Sequence, residues 1–242
     1  MTDKPGHTPP LGYAALTPAY DAMIALTTRE KRWRARLLAQ VNPQPGDRIL
    51  DVGCGTGSFA AMLKQAAPQA HIVGLDPDAD ALASARSKCA RASLDVTFVP
   101  GFLNDETVKP HRPFNKVISS LVLHQTPLKE KKRILAAIHH LLPPAGEFHL
   151  CDYGEQRGLM RLAFRLTVQS LDGVANTQPQ ADGALLDLLR AAGFERVEQT
   201  GRLATMTGAI AFIRAVKQGP LRADPARQKA DRQEAETSLS LE

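Results

Sequence analysis

Two acids, three glycines and a histidine carry most of the chemistry legible in this chain. Asp51 ends a short apolar run, Arg48-Ile49-Leu50, and Gly53-Cys54-Gly55-Thr56-Gly57 follows before a helical pattern opens at Phe59. A strand that turns through such a loop into a helix brings backbone N–H groups and the positive end of a helix dipole close to a ligand. The spacing is G-x-G-x-G rather than the G-x-G-x-x-G of dinucleotide folds, and no phosphate-loop Lys follows. Asp76 ends a second apolar run about 20 residues past the loop, where doubly wound folds place an acid that binds ribose hydroxyls. Its alternative role is a turn or helix cap before Pro77-Asp78. His124 has an ordinary pKa close to working pH, which suits a general base, and a capping or packing role is its alternative. Asp152 and Tyr153, just past the fifth strand, are the second candidates for moving a proton.

The stretches between these positions alternate in period. Phe59, Met62, Leu63 and Ala66 fall at i, i+3, i+4 and i+7, which predicts a helix over residues 59–67, stopped by Pro68. The same reading gives further helices over 78–90, 126–142 and 182–192, the last stopped by Gly193. Ile134, Leu135, Ile138, Leu141 and Leu142 form the buried stripe of the second of these. Buried-type strands fall at 70–76, 95–99, 116–120 and 147–151, and two more at 194–200 and 207–216, joined by a loop. Ligands of open parallel sheets sit beyond the carboxyl ends of strands, so residues 121–125 border the site. Regularity breaks over 152–182, where Met160, Phe164, Thr167, Val168 and Leu171 predict one extra helix. That helix is placed to act as a lid, or to pack on the core. Thr17-Pro18 starts a helix that runs to about residue 38 and is broken at Asn42-Pro43. Residues 1–12 and 217–242 lack apolar anchors and are expected to be mobile.

The string Asp51-Val52-Gly53-Cys54-Gly55-Thr56-Gly57 resembles the cofactor loop of class I S-adenosylmethionine (SAM)-dependent methyltransferases. Leu123-His124 and Ala192-Gly193-Phe194 support the likeness, which extends over about residues 13–217 and is strongest to the ubiquinone/menaquinone C-methyltransferase group. The resemblance implies an α/β fold: a doubly wound, Rossmann-like seven-stranded sheet, mostly parallel, with an antiparallel edge hairpin and helices on both faces. It implies one domain over 13–216, with 13–42 as an N-terminal cover and 152–182 as a substrate lid. In it Asp51 would meet the methionine end of SAM, Gly53, Cys54, Gly55 and Gly57 would form the loop, and Asp76 and Pro77 would meet the ribose. Leu121 would border the methyl group or sugar. Tyr20, or less directly Tyr13, would face the sulfonium and gain cation–π attraction. Relatives carry an acid after the glycine that ends the third strand, and Phe102-Leu103 stand there instead. Either Phe102 packs on the adenine, or Asn104 or Asp105 supplies the polar contact.

Methyl transfer from a sulfonium is an in-line displacement, so the protein mainly holds donor and acceptor aligned and dry. The implied acceptor is small and apolar or aromatic, with quinone-like C-methylation or O-methylation as the reaction. An RNA or protein methyltransferase, an NAD-dependent oxidoreductase and a non-catalytic nucleotide-binding protein are the alternatives. Ser119-Ser120-Leu121-Val122 lacks the Asn/Asp-Pro-Pro-aromatic signature of enzymes that methylate nucleic-acid amino groups, which argues against that acceptor. Composition adds bounds. A chain of 242 residues suits one domain, no apolar run reaches the ~20 residues of a membrane span, and no signal core opens it. These features predict a cytoplasmic protein. Three cysteines without metal-type spacing predict free thiols and no metal site. The basic patches at 29–36 and 129–133, each with an acid inside, read as solvated helix faces within a net charge of +5. Monomer and homodimer are both open.

Overall fold

Strand β1 (Arg48–Val52) alternates its side chains between two apolar layers: Ile49 joins one, Leu50 and Val52 the other. A strand covered on both faces is what a parallel sheet demands. The computed structural model describes residues 29–219. Its remaining elements are, in order, α1 (Glu30–Val41) before β1, then α2 (Ser58–Ala66), β2 (His71–Asp76), α3 (Ala79–Arg91), β3 (Thr97–Pro100), α4 (Asp105–Val108), β4 (Lys116–Ser120), α5 (Leu128–Leu141) and β5 (Glu147–Tyr153). There follow α6 (Gly158–Leu166), α7 (Val168–Asp172), α8 (Val174–Ala181), α9 (Leu185–Ala191), β6 (Arg196–Thr205) and β7 (Gly208–Val216).

The seven strands form one sheet in the order β3-β2-β1-β4-β5-β7-β6, with β7 antiparallel to both neighbours and all other pairs parallel. From β1 the chain winds outward to β3, then returns to β4 on the other side. The order therefore reverses between β1 and β4, and a crevice opens at their carboxyl ends. The glycine loop leaves β1 there, and residues 121–125 leave β4 beside it. This is the doubly wound α/β sheet with an edge hairpin that the sequence implies.

Helices α1, α2 and α3 cover one face through Trp33, Leu37, Phe59, Leu63 and Leu82, which pack with Ile49, Ile72, Phe98 and Phe212. Helices α5 and α9 cover the other through Leu135, Ile138 and Leu189, against Leu50, Val117 and Phe148. Each such side chain contributes about 1.5–3 kcal/mol when fully buried. Asp78 caps α3 by accepting from Asp80 N and Ala81 N at 2.9 and 3.1 Å, a contribution of ~1 kcal/mol. Helix α1 is tied to the hairpin: the Arg36 guanidinium lies 4.9 Å over the Phe212 ring and donates to the carbonyls of Thr200 and Arg202.

Several boundaries differ from expectation for identifiable reasons. Strand β5 runs on to Tyr153, so Asp152 and Tyr153 lie in the strand and not past it. The single helix expected over residues 160–171 is two helices, α6 and α7, because Thr167 leaves helical geometry (φ −116°, ψ −84°) and its hydroxyl donates back to Ala163 O. Helix α8 forms around Pro179 in a segment whose Asn, Thr and Gln read as loop. Thr177 Oγ1 donates to Gly173 O there, and Gln180 Nε2 to Tyr153 O of the sheet. The loop between β6 and β7 is only Met206-Thr207. Helix α1 continues to Val41, past the expected end near residue 38. Tyr13, Tyr20, the rest of the N-terminal cover before residue 29 and the tail beyond 219 lie outside the described residues.

Candidate active site

The three loop glycines are required for the backbone conformation of the loop, and two of them for its packing as well. All have positive φ, at 74°, 51° and 70° for Gly53, Gly55 and Gly57. A Cβ at Gly53 would run into Val122 Cγ2, and one at Gly57 would meet Ala85 Cβ at 2.7 Å and Phe98 Cζ at 2.9 Å. At Gly55 a Cβ would meet nothing within 4 Å, so this residue faces the open crevice. The loop amides are used differently from expectation. Gly53 N and Cys54 N donate to Leu75 O, Gly57 N to Cys54 O, and Gly55 N to Asp76 Oδ2 at 2.8 Å. These four donors hold the loop in shape and do not point at a ligand. Cys54 turns its thiol into the core, toward Gly74, and burial raises its pKa. Lys88 of α3 staples the far side by donating to Thr56 O and Ser58 Oγ.

Asp51 is wholly buried, and neither carboxylate oxygen has a hydrogen-bond partner among the described residues. Burial pushes its pKa up to about 7; Arg34 opposes this and the neighbouring charge of Asp76 adds to it. A buried carboxylate left in this condition is rare and marks a place where a ligand completes the bonding. Asp76 ends β2 half-buried. Besides the Gly55 amide it accepts from Asp78 N at 2.9 Å, so its side chain caps the turn and ties it to the glycine loop. Pro77 follows in the same turn.

Beyond β3, Phe102 is 41% exposed while Leu103 is buried in the core layer beneath. The Leu103 side chain therefore does not face the crevice. Asn104 Oδ1 accepts from Thr107 N and Oγ1, so it caps α4. The side chain of Asp105 lies outside the described residues.

The second half of the site comes from β4 and β5. Leu121 sits in the left-handed region (φ 55°), a strained place for a leucine, with its N–H donating to Cys151 O. That turn sends the chain into a short 3-10 turn, Leu123–Gln125. Asp152 of β5 is fully buried and anchors it, accepting from Leu123 N at 2.7 Å and His124 N at 3.3 Å. Asp152 Oδ1 also accepts from His124 Nδ1 at 2.8 Å. An ionised carboxylate only accepts, so the proton sits on Nδ1 and Nε2 is left as the acceptor in the neutral ring. Nε2 lies 3.5 Å from Asp172 Oδ2 at the end of α7. The Tyr153 ring meets the imidazole edge-on with centroids 5.0 Å apart, and its hydroxyl bonds to Thr207 Oγ1 at 2.6 Å. Burial of His124 works against its charged form, but Asp152 and then Asp172 outweigh it and raise the pKa.

Two members of this cluster carry no mark in the sequence. Lys131 sits in a run of charges that reads as solvent-facing, yet it is fully buried, and its ammonium donates to the carbonyls of Thr126 and Asn176. Burial lowers its pKa to about 8 against the pull of Asp152 and Asp172. Asp172 precedes a glycine and reads as a turn. Asn176 Nδ2 donates to Gln125 O at 3.2 Å and to Asp172 O at 3.0 Å, so α8 is laced both to the turn after β4 and to the end of α7.

A polar recess at the amino ends of β1, β2 and β3, lined by Arg48, Lys64, His71 and His111, is no rival. Arg48 donates to the carbonyls of Pro113 and His111, and Lys64 to that of Ala70. No cluster of metal-ligating side chains occurs among the described residues, and Cys54, Cys89 and Cys151 are free and buried.

Residues 49–146 match the family model described as a methyltransferase domain. A release factor glutamine methyltransferase of Deinococcus radiodurans is 38% identical over 101 residues, covering 41% of this chain and 35% of the relative. A demethylmenaquinone methyltransferase of Thermus thermophilus is 27% identical over 160 residues, covering 65% of this chain and 71% of the relative. Thus the chain spans about a third of the first of these relatives and most of the second. Among solved structures, magnesium protoporphyrin IX methyltransferase from Synechocystis, with bound SAH, superposes with a TM-score of 0.60 at 22% identity, over 79% of this chain and 83% of that one.

Proposed function

For a chain that carries a class I SAM-dependent methyltransferase domain, we propose methyl transfer to a small, apolar or aromatic acceptor, by quinone-like C-methylation or by O-methylation. The observation that carries the reading is Asp51: a buried carboxylate whose two oxygens have no hydrogen-bond partner among the described residues, at the point where the strand order reverses. The methionine part of SAM offers an ammonium group that would satisfy it. Gly55 leaves the approach open, and Asp76 ends β2 beside it, where doubly wound folds place the acid that binds ribose hydroxyls. The donor set therefore fits SAM, which supplies an already activated methyl group on sulfur.

The chain's own residues then have a limited task. The α6–α8 segment excludes water over the crevice, and the 3-10 turn after β4 holds the acceptor's edge. His124 takes a proton at Nε2 from a phenolic or enolic hydroxyl, while Asp152 fixes the tautomer at Nδ1 and stabilises the imidazolium. Asp152 itself is spent on two backbone amides of the turn and on the imidazole, and positions rather than reacts. Tyr153 orients the imidazole edge. Demethylmenaquinone enzymes among the relatives favour a quinone-like acceptor.

A macromolecular acceptor is the second reading, favoured by the higher local identity to the release factor enzyme. Labelled SAM incubated with the protein and cell extract, then split into metabolites, nucleic acid and protein, separates the two. Label in the metabolite fraction is expected; label in protein or nucleic acid alone overturns the small-molecule reading. Calorimetry with S-adenosylhomocysteine and with NAD tests the cofactor, and binding of NAD alone would end the proposal.

A further inference from the structure

The buried stripe of helix α5 opens on a charge. Lys131, Ile134, Leu135 and Ile138 fall at i, i+3, i+4 and i+7, and all are buried, Lys131 completely. An ammonium in that place carries a desolvation cost that a methionine of similar length would not. Its hydrogen bonds go to two carbonyls: Thr126 O, next to the turn that carries His124, and Asn176 O of α8 at 2.6 Å. Asn176 Nδ2 in turn donates to Gln125 O. The consecutive carbonyls of Gln125 and Thr126 are thus held by one donor from α8 and one from α5. A neutral amide could make bonds to carbonyls at lower cost, so the bonds alone do not account for a full charge.

The charges around it do. Asp152 of β5 and Asp172 of α7 act on the ammonium and also bracket His124. Asp152 Oδ1 accepts from Nδ1 at 2.8 Å, and Asp172 Oδ2 lies 3.5 Å from Nε2. Tyr153 presents its ring to the imidazole while its hydroxyl bonds to Thr207, and on α5 itself Glu130 is paired with Arg133. Two carboxylates against one imidazole, with no other cation, would hold the ring as imidazolium. With the ammonium present, a neutral ring leaves the group one charge short of balance and not two. We propose that Lys131 is a positioning residue for the methyl transfer: it fixes the turn that carries His124 against α8 and offsets the second carboxylate, so that Nε2 can take a proton. The inference rests on the reading of His124 as the base. Lys131 opposes the two carboxylates in setting the pKa of His124, and its own pKa of about 8 keeps it mostly charged at neutral pH.

The test follows the His124 imidazole of the full chain by NMR across pH, its signal assigned by its absence from His124→Ala. Lys131→Met keeps the length and removes the charge, and the titration of His124 should move to higher pH. Transfer of label from SAM into the metabolite fraction of cell extract should then fall at neutral pH and recover toward alkaline pH. A merely structural loss works in the opposite direction, because loosening the turn lets His124 return toward its ordinary 6.5. Asn176→Ala, which loosens the turn and touches no charge, should therefore not raise the titration. Lys131→Gln keeps an N–H donor for the carbonyls and should raise it, which decides the matter if Lys131→Met does not fold. Lys131→Met/Asp172→Asn should bring the titration back near the wild-type position. Unchanged binding of S-adenosylhomocysteine shows which variants fold. A His124 titration that folded Lys131→Met and Lys131→Gln leave in place or lower overturns the proposal, and so does a double variant that titrates as high as Lys131→Met. Equal label transfer by His124→Ala and wild type overturns the reading of His124 as the base, and the proposal with it.

Discussion

Asp51 is buried, neither oxygen has a hydrogen-bond partner among the described residues, and its pKa stands at about 7. An acid whose folded pKa lies above its ordinary value costs stability as pH rises from that value, 3.8, to about 7, and the full cost persists above. Asp51→Asn should therefore stabilise the ligand-free protein above pH 7, by roughly 1–3 kcal/mol in thermal or urea unfolding. The same change should weaken S-adenosylhomocysteine, because an ammonium prefers the carboxylate. In the wild type, affinity should fall by up to about tenfold per pH unit below the titration of Asp51. Proton release should be visible by calorimetry in buffers of different ionisation heat. A wild-type affinity indifferent to pH would remove Asp51 from that contact. At His124 the sign runs the other way. Burial lowers its pKa, but Asp152 and Asp172 together raise it above 6.5, so a base role gives turnover that rises with pH through that raised value. Asp172→Asn removes one negative neighbour and should move the acid limb of the kcat profile to lower pH. His124→Ala should reduce kcat by about 10²–10⁴ with S-adenosylhomocysteine affinity unchanged; equal turnover in the two proteins would return His124 to a packing role.

The loop between β1 and α2 separates shape from binding. Gly53→Ala combines a positive φ with a collision against Val122, and should destabilise by more than about 2 kcal/mol. Gly55→Ala meets open space and carries only the backbone penalty of about 1–2 kcal/mol. It should fold and yet bind S-adenosylhomocysteine poorly, since its methyl group projects where the ligand approaches. Parallel melting curves and titrations check the contrast, and equal losses of stability would remove it. This loop was legible in the sequence because its chemistry is local: acid, glycine and helix start are neighbours along the chain. Strand β4 was legible from its apolar run for the same reason, and its bounds match expectation. The lid was not. Lys131 reads as solvated among its charged neighbours, and only contact with Asn176, 45 positions away, explains its burial. Helix α8 escapes pattern reading because side-chain hydrogen bonds and tertiary packing hold a segment of poor helix formers and one proline. The left-handed Leu121 carries no local sign, since the anchor that holds its turn is Asp152 of another strand.

At the scale of the whole molecule, the seam between β5 and β7 sets the acid limit. Glu147 accepts from His149 Nε2 at 3.0 Å and pairs with Arg214 of β7. The bond from His149, with Arg214 adding, holds its pKa down at about 2 against the effect of burial. Its stabilising contribution is complete above its ordinary 4.5 and disappears as pH falls through about 2. Glu147→Gln should flatten the loss of stability across that window, measured as the urea midpoint against pH; a parallel decline in both proteins would place the acid limit elsewhere. The same seam has a consequence for synthesis. Strand β7 enters the sheet between β5 and β6, and α1, near the start of the described chain, rests on that hairpin through Arg36 and Gln40. A growing polypeptide thus leaves the ribosome with the flank of β5 unpaired and α1 without a seat until residue 216 has emerged. Fragments that stop short of residue 208 should stick to one another or to chaperones, because the flank of β5 then stays unpaired.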